Sequence, residues 1–388
     1  MIQVRDQTYL WTETYDRKLA DVLDIQRSVA RKIARSMAVE LLPEQQAALS
    51  RQFTRNTAAH EAYLKGRHFW NRRTEANFAR AIECFEQAVR EDPGYALAYA
   101  GLATAYVTLG LFTGIPPGVA RTKAMQAATS ALEIDGRLAE AHTALAYAKA
   151  LFEWDWAGAE RRFEEALKFD PSYVTAHHWY GHALAMMSRF DESQAQMELA
   201  RELDPRSPVT NSHMGWMLYL ARRFAESEER LRMTVEMDAS FALASYFSGL
   251  TYLQMERFDD AIRQFERAEQ LSPGHPPVLS GFGQAYAMKG QRAEARRFLD
   301  TLYAMSMDRH VSPFYIACVH VRLGATDQAL ARLEDACEQR CPSMALLTVE
   351  PSVDPLRRDQ RFRSLLRRIG FPVRPEAPAR AAGRLRQS

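Results

Sequence analysis

ALASYFSGLTYLQMERFDDAIRQFERAEQLSPGHPPVLSGFGQAYAMKGQRAEARRFLDTLYAMSMDR, residues Ala242–Arg309, is one pattern written twice. Gly249 and Gly283 stand 34 residues apart, and each is followed by a tyrosine three residues on (Tyr252, Tyr286) and an alanine twelve residues on (Ala261, Ala295). Within each half the apolar residues recur at three- and four-residue spacing, which predicts two short amphipathic helices per unit. Outward from this stretch the beat continues. Gly181, Gly215, Gly249, Gly283 and Ala317 form one series, and Ser193, Ser227, Ala261, Ala295 and Ala329 form a second. A small residue on each helix lets the pair approach at the short end of the roughly 8–10 Å interaxial range. Bulky residues such as Phe163 and Phe265, four after the small residue of the second helix, complete the contact. Breakers at Asp92-Pro93, Asp170-Pro171, Asp204-Pro205 and Ser272-Pro273 stop the second helix, because proline brings no amide donor.

This order of bulky, small and bulky residues, then Ala and Phe, then Asp-Pro, resembles the tetratricopeptide repeat. The resemblance implies an all-α, right-handed superhelical solenoid of about eight helix-turn-helix units. Three upstream units carry insertions: three residues around Asn71–Thr74, nine at Phe112–Val119, which read as a surface loop, and one near Trp154-Asp155-Trp156. The expected division is an N-terminal segment over 1–60, the array over 61–341, a capping segment over 342–372 and a basic tail over 373–388. Stacked repeats suit a chain of 388 residues with 25% charged side chains, since each buries its face only against neighbours. No apolar run nears the roughly 20 residues that cross a bilayer, and MIQVRDQTYLW lacks a signal peptide's apolar centre. The expectation is a cytoplasmic chain with no membrane partner.

The first sixty residues lie outside the beat. Ile2–Trp11 reads as a strand, and Asp21–Leu42 as a helix with Val22, Ile25, Val29, Ile33, Met37 and Leu41 on one stripe. Leu10–Leu49, then AYLKGRHFW at Ala62–Trp70 and VEPSVDPLRRDQRFRSLLRRIGFP at Val349–Pro372, resemble a bacterial family of multi-domain regulators. Those regulators place a winged-helix or nucleotide cyclase domain first, a TolB-like α/β domain next and tetratricopeptide repeats last. The resemblance makes residues 1–60 the remnant of a TolB-like domain with its linker helix, and leaves the effector domain outside this chain.

Function should then reside on the surface facing the superhelical groove. Projecting the repeat's groove positions gives Tyr63, Trp70, Tyr147, His178, His182, Met186, Trp216, Tyr219, Leu220, Tyr246, Leu250, Leu253, Gln284, Met288, Phe314 and Arg322. The partner-binding set is taken as Tyr63, Trp70, Tyr147, His178, His182, Trp216, Tyr219, Tyr246, Leu250 and Phe314. Such an aromatic groove with few charges suits a protein or peptide segment held in apolar pockets. The Lys and Asn clamp for a terminal carboxylate is absent; His178/His182, Ser212/Trp216, Tyr246/Leu250 and Ser280/Gln284 stand there instead. The reading is a non-enzymatic interaction scaffold in bacterial regulation or signalling. The alternative is the sensory part of a transcription regulator whose DNA-binding domain is elsewhere.

A last alternative is a metal-dependent enzyme at His178 and His182, one helical turn apart. HHWYGH lacks the glutamate of HExxH and shows no third ligand, so no metal and no cofactor are assigned. Phosphate-loop, nucleophile-elbow, dinucleotide and EF-hand patterns are absent. Cys84, Cys318, Cys337 and Cys341 read as reduced packing residues, and Glu164-Glu165 and Glu228-Glu229 as solvated faces. Net charge is +2, which gives no reason to expect nucleic acid. The ten arginines from Arg357 to Ser388 divide between an amphipathic helix with Phe362, Leu365, Leu366 and Ile369 and a Pro/Ala/Arg-rich, disordered tail.

Overall fold

A computed structural model describes residues 53–112 and 115–372. The strand expected at 2–11, the helix at 21–42 and the basic tail at 373–388 lie outside the described residues. Within them the chain forms eight antiparallel helix pairs and a final helix. The pairs are α1 (Thr57–Asn71) with α2 (Glu75–Glu91), α3 (Ala96–Phe112) with α4 (Pro117–Ile134), and α5 (Ala139–Ala148) with α6 (Trp156–Phe169). They continue as α7 (Val174–Met186) with α8 (Phe190–Leu203), α9 (Pro208–Leu220) with α10 (Phe224–Met237), and α11 (Ala242–Gln254) with α12 (Phe258–Leu271). The last are α13 (Pro276–Met288) with α14 (Arg292–Asp308) and α15 (Pro313–Arg322) with α16 (Thr326–Glu338), followed by α17 (Gln360–Ile369).

The 34-residue beat has a direct structural meaning. A Cβ built on Gly215 would lie 2.5 Å from Leu231, and one on Gly281 would lie 2.6 Å from the Phe265 ring. Phe265 therefore sits between two glycines, Gly249 of its own pair and Gly281 of the next, as Phe85 sits between Gly66 and Gly101. Two of the partner small residues do more than make room. Ser193 Oγ donates to the Gly181 carbonyl at 2.7 Å, and Ser227 Oγ to the Gly215 carbonyl at 2.8 Å.

The turn inside each pair obeys the same beat. Ser188, Arg222, Glu256, Gly290 and Gly324 all take positive φ, between 58° and 84°. One left-handed residue ends the first helix and aims the second back along it. Between pairs an aspartate shapes the turn, with a proline after it at Asp92 and Asp170 and an alanine after it at Asp238. Asp92, Asp170 and Asp238 each accept a hydrogen bond from the backbone N–H two residues on, at 2.9–3.0 Å. This Asx turn leads into the next first helix.

The insertions are absorbed differently from one another. The surplus of the second unit goes largely into length, giving α3 17 residues and α4 18, against 13 and 14 in the regular pair α7 and α8. The extra residue of the third unit makes a π-helical turn at Lys149–Glu153, closed by Trp154 at φ 57°. A π turn holds one residue more than an α turn, so the register is recovered without a loop. On the outer surface Arg189, Arg223 and Arg257 reach 29 residues back to Glu160, Gln194 and Glu228 at 2.6–2.9 Å. Exposed pairs of this kind contribute at most about 1 kcal/mol each, so they tie the rungs but do not hold the solenoid.

The stack curves until its seventh pair reaches its first. Arg309, at the end of α14, pairs with Glu75 at the start of α2 at 2.9 Å. Beyond α16 the chain makes two 3₁₀ turns, Pro342–Leu346 and Pro351–Leu356, which run along the concave side. Met344 and Leu347 join the core of the second and third pairs, and Val349 joins that of α9 and α11. Helix α17 then packs against α16, and the chain at and just beyond its end reaches the third pair, where Trp156 stacks on Phe371 with centroids 5.1 Å apart and donates from Nε1 to the Ile369 carbonyl at 3.4 Å. The closing segment thus covers the concave side as well as the last repeat, which is more than a cap over α16 would do. Among the described residues no helix is long and apolar enough to cross a membrane.

Candidate functional site

First helices face inward, so side chains at matching positions of α5, α7, α9, α11, α13 and α15 converge on one central cavity of about 120 Å³. Tyr147, His178, His182, Trp216, Tyr246, Leu250 and Phe314 line it. Tyr63 and Trp70 instead line a smaller pocket of about 50 Å³ with Arg67, Glu140 and Tyr173. Tyr219 lines neither; it is fully buried beneath the closing segment, and its hydroxyl donates to Glu350 Oε1 at 2.5 Å.

The cavity wall is aromatic and well ordered by packing. Tyr147 stacks on Trp179 at 4.5 Å, and Trp216 on Phe247 at 5.4 Å. Offset pairs of this kind add about 0.5–1.5 kcal/mol beyond area burial. The Trp70 indole donates to Thr108 Oγ1 at 2.8 Å and carries the Arg73 guanidinium 3.6 Å above its ring. No carboxylate pairs with Arg73 among the described residues, and burial pushes the guanidinium down to about 9. A cation held this way favours an anion in the cavity.

Three histidines form the polar part of the wall. Ring centroids are 4.5 Å apart for His178–His182 and His182–His213, and 4.8 Å for His178–His213. His213 Nδ1 donates to the Val209 carbonyl at 2.8 Å, and Tyr147 Oη meets His182 Nδ1 at 3.0 Å. His178 and His182 are each at most 4% exposed, and neither Nε2 has a hydrogen-bond partner. A buried polar group left unmatched costs about 1–3 kcal/mol. Burial, reinforced for His178 by His182 and His213, holds its imidazole well below the ordinary histidine range; His182 is lowered in the same sense, and burial takes His213 to about 3.

Glu350 links this face to the closing segment. Besides the Tyr219 hydroxyl it accepts the Ser352 N–H at 2.9 Å, while Arg222 donates to the Val349 carbonyl and to Asp354 at 2.8 Å. Tyr219→Phe is expected to lower stability by about 1–3 kcal/mol, since Glu350 loses a charge-assisted bond. It should also speed amide exchange over residues 342–356. Unchanged exchange there would mean that this bond does not hold the segment.

His213, Arg73 and Glu350 were not legible as site residues. His213 follows His178 by 35 residues, one more than the repeat, so it falls off the projected groove positions. Arg73 lies in the first unit's insertion, and Glu350 lies beyond the last repeat. Cys318 lines the cavity as a free thiol; Cys337 and Cys341, the spacing that could suggest half a metal site, join no cluster of three ligands among the described residues.

Comparison with known proteins agrees with this architecture. Tetratricopeptide repeat profiles match residues 55–114 and 214–276, and a second such profile matches 252–309. An IFIT1 monomeric mutant with m7Gppp-AAAA is similar in fold, with a TM-score of 0.55 at 14% identity over 81% of this chain and 75% of that one. The APC/C hetero-tetramer Cut9-Hcn1 gives a TM-score of 0.53 at 15% identity over 88% of this chain and 60% of that one. A protein of Rhizobium meliloti (strain 1021), whose name assigns it provisionally to the adenylate cyclases, is 28% identical over 145 residues. The match spans 36% of this chain and only 24% of that relative. From Thr57 to Glu338, therefore, the chain is an all-α solenoid of helix pairs, and within it residues 55–114 and 214–309 match tetratricopeptide repeats.

Proposed function

We propose that this chain is a non-enzymatic protein-interaction scaffold that receives a segment of a partner protein on its aromatic concave face, in bacterial regulation or signalling. The observation that carries the reading is that Tyr147, Trp216, Tyr246, Leu250 and Phe314 border open space instead of closing it. The closing segment occupies much of the concave side, so the remaining cavity suits one aromatic or aliphatic anchor of a partner and not a long groove-bound helix. Arg73 favours an acidic group beside that anchor. Interfaces draw most of their energy from a few such buried anchors.

The test is affinity capture from the source organism's lysate with the intact chain and with Trp216→Ala/Tyr246→Ala, read by mass spectrometry. Circular dichroism and a thermal melt establish that both chains fold. A partner retained by the intact chain should fall at least about tenfold in the variant, as expected when anchors are truncated. Identical profiles would sink the cavity as the binding face.

The similarity to the Rhizobium meliloti protein favours a second reading, in which the array is the regulatory part of a longer cyclase or transcription regulator. An in-frame cyclase or winged-helix domain encoded upstream of Met1 would support it. An unrelated upstream gene would remove it.

A further inference from the structure

The histidine cluster is not accounted for by partner binding or by packing. His178 and His182 lie one turn apart on α7, and His213 lies on α9, where the first helices of neighbouring repeats run side by side. One ligand atom from each ring falls within 4.8 Å of the other two. Two of the three Nε2 atoms are buried without a partner. Buried polar atoms are nearly always matched, so two unmatched ring nitrogens within one cluster call for a ligand.

We propose that His178, His182 and His213 bind one divalent transition-metal cation, Zn²⁺ first among them, through their Nε2 atoms. The outer partners already set the tautomer. His213 gives its Nδ1 proton to the Val209 carbonyl, which leaves the lone pair on Nε2. Tyr147 Oη can accept from His182 Nδ1 in the same way. Burial keeps all three rings neutral at neutral pH, and a ring must be neutral to ligate.

Three imidazoles with no carboxylate or thiolate suit Zn²⁺, Cu²⁺ or Ni²⁺ and not the oxygen-seeking Ca²⁺ or Mg²⁺. With Zn–N bonds of about 2.0–2.1 Å, tetrahedral ligand atoms stand about 3.4 Å apart, so the rings must close by about 1 Å. Small side-chain rotations achieve that. The three protein ligands leave a fourth position toward the cavity. Neutral ligands do not offset the ion's charge, and Arg73 acts on all three histidines from the same cavity. The fourth ligand is therefore an anion: hydroxide, chloride or a carboxylate.

The whole chain, stripped with chelator and dialysed, is titrated with Co²⁺ as the probe, and the bound ion is then displaced with Zn²⁺. One Co²⁺ per chain should bind, giving visible ligand-field absorption of four-coordinate intensity that one equivalent of Zn²⁺ bleaches. The melting temperature should rise with metal. His213→Ala and His178→Gln should each weaken binding about 100-fold or more, as loss of one of three protein ligands requires. Changing the exposed His68 to Ala should leave it unaltered. His178→Gln keeps a polar side chain of similar length, so the test survives if His213→Ala fails to fold. No saturable binding at micromolar Co²⁺, or binding equal in the ligand variants and the parent, overturns the site. The measurement uses metal alone, so it stands or falls apart from partner capture.

Discussion

Phe265→Ala is expected to destabilise the protein by about 3–5 kcal/mol, the range for emptying a buried aromatic site. The ring is fully buried, meets Phe282 at 5.7 Å and Tyr246 at 6.2 Å, and is pressed between the backbones of Gly249 and Gly281. It joins α11, α12 and α13, so its loss loosens two pairs at once. Urea denaturation followed by circular dichroism gives the value. Gly249→Ala alone should cost about 1–3 kcal/mol, because its Cβ enters the ring's space. The two changes together should cost less than their sum, since the added methyl enters space the ring has left. Strict additivity would show that the glycine is not kept for the close approach.

Acidification is expected to have the second large effect. In metal-free protein the three clustered histidines stay neutral in the fold, with His213 held near 3 by burial. In the unfolded chain each takes up a proton near its ordinary value of 6.5. Between those values the unfolded state binds more protons than the native state. The contribution is therefore complete above pH 6.5 and is lost as pH falls below it, at about 1 kcal/mol per pH unit for each histidine. Stability measured with chelator at pH 7.5, 6 and 5 should fall accordingly, and His213→Leu should reduce the slope by one proton's worth. The lowered carboxylates, such as Asp155 beside Lys149 and Glu192 beside Arg189, have ordinary values near 4 and titrate below this window. A stability curve flat between pH 7.5 and 5 would mean that the rings are not neutral in the native state, or not desolvated.

The solenoid was readable because its causes are local. Gly249 against Phe265, Ser227 against the Gly215 carbonyl, and the left-handed residue at Glu256 or Gly290 all act within a few tens of residues. They leave a mark at every 34th position. Even the extra residue near Trp154 was visible as a break in phase, although its form as a π turn was not. The longer α3 and α4 were less legible, because an insertion looks alike whether it extends helices or forms a loop. The repeat also fixes which way the first helices face, so Tyr147, His178, His182, Trp216, Tyr246, Leu250 and Phe314, chosen by phase, lie on the wall of one cavity.

The sequence by itself determined the repeat, the helix pairs, their turns and the inward direction of the first helices, since each is set by spacing and by contacts between neighbouring units. Only the tertiary structure decided what the concave side holds. Small angles between rungs accumulate until Arg309 reaches Glu75, and the chain beyond Cys341 then lies against Tyr219, Arg222 and Trp156. Those contacts join residues more than a hundred positions apart and follow no period. The same holds on a smaller scale for His213 beside His178 and His182: the side-by-side packing of α7 and α9, and not the spacing, brings the third ring to the pair.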